Sequence, residues 1–195
     1  MLRLILASTA AHRRVLLERL ELPFEAVAPR FTELAAPEEV ASEGVVHDLV
    51  LANARGKAES LRADFPDSLV LAADQVCECE GRVFGKPGTI ARAIEQLTFL
   101  SGKTHRLHNG LILLETRSGR IEQEVVQVEI TLRALGSEQI RAYVERERPI
   151  HSAGSYLSES LGIALFERVR TEDPTAIVGL PLVAVTRMLG RLGID

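Results

Sequence analysis

The chain opens on an apolar run, Leu2 to Ala7, that breaks at Ser8-Thr9. A short continuous apolar stretch ending in small hydroxyl residues reads as a buried strand feeding a helix, with Ser8 or Thr9 as the N-cap. The helix is expected to bury Val15, Leu16, Leu17 and Leu20. Phe24 to Ala28 reads as a second short strand stopped by Pro29, and residues 30 to 43 as a loop without period. From Val45 to Phe65 the apolar positions Val46, Leu49, Val50, Ala54, Ala58 and Leu61 recur at helical spacing, which predicts a long amphipathic helix.

The period then shortens. Ser68 to Ala73 reads as a strand that runs on through Asp74-Gln75-Val76-Cys77 to a hairpin turn at Glu80-Gly81. Thr89 is placed to cap a helix from Ile90 to Leu100, closed by Ser101-Gly102. Two long strands are expected at about 107 to 115 and 121 to 133, joined by Arg117-Ser118-Gly119-Arg120. A helix from Ser137 to about Arg146 follows, then a loop-rich region from 150 to 176 with an apolar patch at Leu161 to Phe166, and a final helix from Pro181 to Leu192. Strands alternating with helices early, and a hairpin in the middle, predict an α/β fold with a mixed sheet. With 195 residues and no repeat, low-complexity tract or linker, residues 1 to 195 are expected to form one domain.

Composition narrows this picture. Hydrophobic residues make up 46% and aromatics only 4%, so the core is expected to be aliphatic. A formal net charge of −4 argues against a general nucleic-acid binder, which needs a basic face, but leaves room for a small phosphorylated ligand held by a few cations. The only cysteines, Cys77 and Cys79, sit two apart on one strand face, too few and wrongly spaced for a zinc site. They read as packing thiols in a reducing compartment. The apolar N-terminus is too short for a signal peptide or a membrane span. The expectation is therefore a soluble cytoplasmic protein without membrane partners.

Several residues have the character of a site. Ser8 and the following helix start offer backbone N–H groups and a positive dipole end, and Arg13 and Arg14 in the first turn add forked donors suited to phosphate. Read alone, this is equally a capped helix with surface arginines. Asp74 directly follows a buried apolar strand, where a carboxylate needs a partner, a metal or a rim position. Lys57 falls beside the apolar stripe of its helix rather than opposite it. Lys86 is fixed between Gly85 and Pro87, and Glu33 is the acidic residue nearest the end of the second strand. His105 and His108 stand three apart in strand-like sequence, a spacing that does not favour joint metal ligation. Ser152 and Ser155 have no His–Asp arrangement to activate them.

Taken together the motifs resemble the Maf family of nucleotide pyrophosphatases. Leu6-Ala7-Ser8 followed by Arg13-Arg14 and Leu16-Leu17, then Lys57-Ala58, Asp74-Gln75-Val76, Gly85-Lys86-Pro87, Leu100-Ser101-Gly102, Tyr143-Val144, Ala153-Gly154-Ser155 and Val178-Gly179-Leu180-Pro181-Leu182 occur in family order between residues 6 and 182. Asp74-Gln75-Val76-Cys77, Glu159-Ser160-Leu161-Gly162-Ile163 and Leu165-Phe166 are similar to the branch that hydrolyses 7-methyl-GTP; the branch for dTTP and UTP usually has Thr after the Asp and Gln at position 159. The chain departs from the pattern at Ala10-Ala11 (usually Ser-Pro), His12 (often a large aromatic), Thr32, Asn109 and Ser152.

The resemblance implies a bent mixed sheet flanked by helices, in two lobes around a central cleft. It implies a divalent metal, Mg²⁺ or Mn²⁺, and hydrolysis of a nucleoside triphosphate to its monophosphate and pyrophosphate. Asp74 matches the family's proposed general base, with Glu33 beside it as a candidate metal ligand. Ser8, Arg13, Arg14, Lys57 and Lys86 would hold the phosphates, and His12, Gln75 and Glu159 would select the base. A carboxylate at position 159 suits a 7-methylguanine ring, which is cationic and offers donors on its Watson–Crick edge. The alternatives are a broader enzyme for dTTP and UTP, and a weakly catalytic nucleotide-binding regulator of cell division. Whether the chain works as a homodimer is left open.

Overall fold

The computed structural model describes residues 2–35, 39 and 42–193. Its elements, in chain order, are β1 (Arg3–Ala7), α1 (Ala11–Glu18), β2 (Phe24–Val27), α2 (Glu43–Glu59), β3 (Ser68–Cys79), β4 (Arg82–Phe84), α3 (Ile90–Leu100), β5 (Thr104–Glu115), β6 (Ile121–Leu132), α4 (Ser137–Glu147), β7 (Phe166–Arg170) and α5 (Leu182–Arg191). Short 3₁₀ turns occupy Ala153–Ser155, Leu161–Leu165 and Pro174–Val178. The strands form one seven-stranded sheet in the order β2-β1-β3-β5-β6-β7, with β4 also paired to β3. β1 pairs parallel with β2 and β3, and the remaining pairings are antiparallel, so the expected mixed α/β sheet is present.

Strand alternation divides the core. The even positions of β3 and β5, such as Val70, Ala72, Ile112 and Leu114, pack beneath α2 with Ala54, Ala58 and Leu61. The odd positions face the other way. Leu69, Leu71, Leu111 and Leu113 meet α1 and α5, while Cys77, Cys79 and Leu107 meet α3 and α4. α2 lies close to the sheet because Gly110 of β5 carries no side chain there. A Cβ at Gly110 would stand 2.5 Å from the Val50 carbonyl carbon.

β3 changes neighbours along its length, and this creates the opening in which the site lies. Residues 68–71 pair with β1 on one side, and residues 77–79 pair with β4 on that same side. Among the described residues, the segment between, Ala72 to Val76, pairs only with β5. Its free edge holds the Ala73 carbonyl, which must find donors outside the ladder.

Three expectations need correction. The α1 N-cap is Ala10 rather than Ser8 or Thr9, and it carries no side-chain cap. Ser8 instead folds its Oγ onto the Ala10 N–H at 3.1 Å, a local turn that competes with capping. Val15 is 60% exposed, because this short helix presents only Leu16 and Leu17 squarely to the sheet. The region 150 to 176 contains strand β7, paired along β6. Its charged residues Glu167, Arg168 and Arg170 are characteristic of an edge strand and hide the alternation that would have betrayed it. Part of the expected loop at 30 to 43 lies outside the described residues. Among the described residues, no helix is long and apolar enough to cross a membrane.

Candidate active site

Asp74 sits at the free edge of β3 and is 5% exposed. Being even-numbered on the strand, it faces α2, and α2 answers with two side chains one turn apart. Lys57 Nζ donates to Asp74 Oδ1 at 2.6 Å and to the Ala73 carbonyl at 3.3 Å. Asn53 Nδ2 donates to Asp74 Oδ2 at 3.0 Å. Lys57 is itself buried, at 5% exposed, which explains its place beside the apolar stripe. A buried lysine and a buried aspartate are each costly alone and tolerable as a hydrogen-bonded pair.

Glu33 completes the cluster from the loop after β2. Its Oε1 is 2.7 Å from Lys57 Nζ, and its Oε2 is 3.2 Å from Lys86 Nζ. Partial burial would raise its pKa, but Lys57 and Lys86 outweigh that effect and hold it at about 2. The loop is tied to α2 at two points. Asn53 Oδ1 accepts from Leu34 N–H at 2.8 Å, and the Phe31 ring lies against Gly56, where a Cβ would come within 2.2 Å of it.

Arg13 reaches the same edge from α1. Its Nη1 donates to the Ala73 carbonyl at 2.7 Å and its Nε to the Gly179 carbonyl at 3.0 Å. Burial lowers its pKa, while Asp74 and Glu33 raise it in opposition. Gly179 is placed by a further buried carboxylate. Asp173 Oδ1 accepts from the N–H and hydroxyl of Thr175, at 3.0 and 2.6 Å, and Asp173 Oδ2 accepts from Val183 N–H at 2.8 Å at the start of α5.

On the other face of β3 a cavity of about 590 Å³ opens, lined by His12, Arg13, Gln75, Lys86 and Glu159, with Tyr156 and Ile177 among its apolar walls. Gln75 is held at its mouth, with Nε2 donating to Asn109 Oδ1 at 3.0 Å and to the carbonyls of Ala176 and Ile177 at 3.1 and 3.3 Å. His12 has its pKa lowered by burial and by Arg13, with Glu159 acting in the opposite sense. Arg13 and Lys86 belong to both the cavity and the Asp74 edge, so they join the two compartments. A larger depression of about 740 Å³ lies against β6, β7 and α5 and contains none of these residues.

The structure thus brings together His12, Arg13, Glu33, Lys57, Asp74, Gln75, Lys86 and Glu159, whereas the Ser8 hydroxyl is engaged with the Ala10 N–H at the end of β1. It does not bring Arg14, which points outward and pairs with Glu18 at 3.0 Å, one turn along α1. Asn53 and Asp173 are the residues that sequence reasoning passed over. Asn53 stands one helical turn before Lys57 on the same face, and that spacing is the signal that marks it. Asp173 has no comparable local signal. Burial raises the pKa of Cys79 to about 11 and also pushes that of Cys77 well up, so both remain thiols, as packing residues should. His105 and His108 lie on opposite faces of β5, His105 against Tyr156 and His108 against His47, so they do not act on one ligand.

The family model for "Maf-like protein" matches residues 3–192. Proteins named 7-methyl-GTP pyrophosphatase resemble the chain over almost its whole length. The one from Ralstonia nicotianae is 47% identical over 95% of this chain and 93% of its own. That from Aromatoleum aromaticum is 42% identical over 98% and 96%, and that from Burkholderia pseudomallei 44% identical over 98% and 88%. With the motif residues gathered at one opening of the sheet, and relatives this similar over this length, the chain belongs to the Maf family.

Proposed function

We propose that the chain hydrolyses a nucleoside triphosphate to its monophosphate and pyrophosphate, with 7-methyl-GTP as the substrate. The observation that carries this is the position of Asp74, a buried carboxylate oriented by Lys57 and Asn53 at the one open stretch of β3, with a nucleotide-sized cavity on the strand's other side. The names of the relatives point to the same substrate.

The triphosphate lies across the edge, its oxygens met by Arg13, Lys86 and Lys57. Asp74 takes a proton from the attacking water as its oxygen bonds to phosphorus. The phosphoanhydride bond between the α- and β-phosphates then breaks, and pyrophosphate leaves with the bridging oxygen. General base action contributes about 10²–10⁴-fold, so charge stabilisation by the cations supplies much of the remainder. Asp74 and Glu33 also fit a hard divalent ion, Mg²⁺ or Mn²⁺, which is usually bound by one or two carboxylates together with substrate phosphates. Lys57 Nζ stands 2.7 Å from Glu33 and 2.6 Å from Asp74, so the two carboxylates are close enough to share one cation. Such an ion would supply Lewis-acid polarisation of the phosphoryl oxygens. Glu159, His12 and Gln75 face the base.

The test is pyrophosphate release from a nucleotide panel with Mg²⁺ or Mn²⁺, by the wild type and by Asp74→Asn. Release from 7-methyl-GTP in preference to GTP, dTTP and UTP, lost in the variant, is the expected result. No release from any nucleotide sinks the reading, and undiminished release by Asp74→Asn removes Asp74 from its centre.

A further inference from the structure

His108 is fully buried, yet among the described residues neither Nδ1 nor Nε2 of its ring has a hydrogen-bond partner. A buried imidazole with both nitrogens unsatisfied is costly and calls for a ligand. Its surroundings provide the other half of one. Glu43 and His47, one turn apart at the start of α2, face His108 across the gap between helix and β5. One ligand atom from each of the three residues lies within 4.8 Å of the other two. The His47 and His108 rings are 5.4 Å apart.

From this constellation we infer a transition-metal site of the zinc class, held by Glu43, His47 and His108. Two imidazoles and a carboxylate suit Zn²⁺, with a fourth position left open. Ligand atoms around a tetrahedral Zn²⁺ stand roughly 3.4 Å apart, given bond lengths of about 2.1 Å. Glu43 Oε1 and His47 Nε2 already stand 3.4 Å apart, and all three ligand atoms lie within 4.8 Å of one another. Gln127 already marks the place where it sits: its Nε2 lies 2.8 Å from His47 Nε2 and also contacts Glu43 Oε1. Turning that amide over presents Oε1 instead of Nε2, an oxygen for the open position. A nearby cation, Arg106, is turned toward Glu78 and does not fill the site.

This site is separate from the Asp74 cluster. His47 precedes Asn53 by six residues, about 9 Å along the helix axis. The ion joins the first turns of α2 to the sheet, and the same helix carries Asn53 and Lys57 to Asp74. It requires no step of nucleotide hydrolysis.

Metal-stripped protein would be titrated with Co²⁺, a coloured probe for zinc sites, and then with Zn²⁺. One equivalent of Co²⁺ per chain is expected, with visible absorption typical of low coordination number, displaced by Zn²⁺. Glu43→Gln and His47→Gln, both at accessible positions, are expected to weaken binding by more than the roughly 10–100-fold cost of losing an outer-shell partner. Asp74→Asn is expected to develop the same visible absorption at the same Co²⁺ concentration. Zn²⁺ should also raise the melting temperature of the wild type but not of His47→Gln. Absence of Co²⁺ uptake, equal affinity in His47→Gln, or loss of the signal in Asp74→Asn would each overturn the assignment.

Discussion

Asp74 and Gln75 are neighbours on β3 but work on opposite faces of the sheet. Asp74 turns to Lys57 and Asn53 beneath α2, whereas Gln75 turns to Asn109 and the carbonyls of Ala176 and Ile177 at the cavity mouth. A one-residue step on a strand reverses the side chain. In the proposed reading, chemistry and base selection therefore sit back to back, bridged by Arg13 and Lys86. Their separation implies that one can be altered without the other.

Glu159 lines the cavity, and in the proposed reading the base lies against it. In Glu159→Gln, the preference for 7-methyl-GTP over GTP is expected to fall by about 10–100-fold, the equivalent of one charge-assisted hydrogen bond. The turnover of GTP should change little. Paired measurements of kcat/KM for the two nucleotides check this, and an unchanged ratio would remove Glu159 from base recognition.

Lys57 holds both acidic groups of the cluster, with Nζ 2.6 Å from Asp74 and 2.7 Å from Glu33. Removing the ammonium removes a stabiliser of the charged carboxylates, so Glu33 no longer stays near 2 and protonation begins at higher pH. The acid limb of the kcat/KM profile in Lys57→Gln is expected to move up by about 1–2 pH units. A limb that stays in place, at whatever rate, would show that Lys57 does not set the ionisation of the site.

The helices of the first half, the long β3 and the Thr89 cap were legible because their signals are local: periodicity, a capping hydroxyl, a Glu-Gly turn. Asp74 was legible as a carboxylate ending an apolar run, and Lys57 as a charge beside an apolar stripe. What stayed hidden depends on pairing. That β3 exchanges β1 for β4 on the same side is a property of the sheet, not of residues 72 to 76. Asn53 and Asp173 acquire their roles only through residues 21 and 10 positions away, Asp74 and Val183. Arg14 illustrates the converse. Beside Arg13 in sequence, it is rotated by one helical step of about 100° onto solvent and Glu18, so adjacency misled.

Gly56 tests how the Glu33 loop is held. An alanine there brings Cβ within 2.2 Å of the Phe31 ring, so the ring must leave. Alanine is favoured over glycine within a helix by about 1 kcal/mol, which offsets the lost contact. Gly56→Ala is thus expected to keep its melting temperature while kcat/KM falls by up to about 100-fold as Glu33 loses its position. Full activity in a well-folded variant would show that Phe31 does not position Glu33.

His105 sets part of the acid sensitivity of the fold. It is 1% exposed, with Nε2 2.8 Å from the Tyr156 hydroxyl, and burial holds its pKa at about 4 against an ordinary 6.5. The unfolded chain therefore binds a proton between pH 6.5 and 4 that the folded chain refuses. Stability contributed by the neutral ring is complete above pH 6.5 and is lost as the pH falls toward 4. At pH 5 the loss is about 2 kcal/mol. His108, likewise held at about 4 by burial, adds a loss of the same sign. Glu33 also loses stability on acidification, but only below 4.5, outside this window. Urea unfolding of metal-stripped protein at pH 7.5 and pH 5 should show the combined drop, and His105→Gln, which can still meet Tyr156 but does not titrate, should lose about 2 kcal/mol of it. A variant retaining the whole drop would show that His105 is not protonated on unfolding.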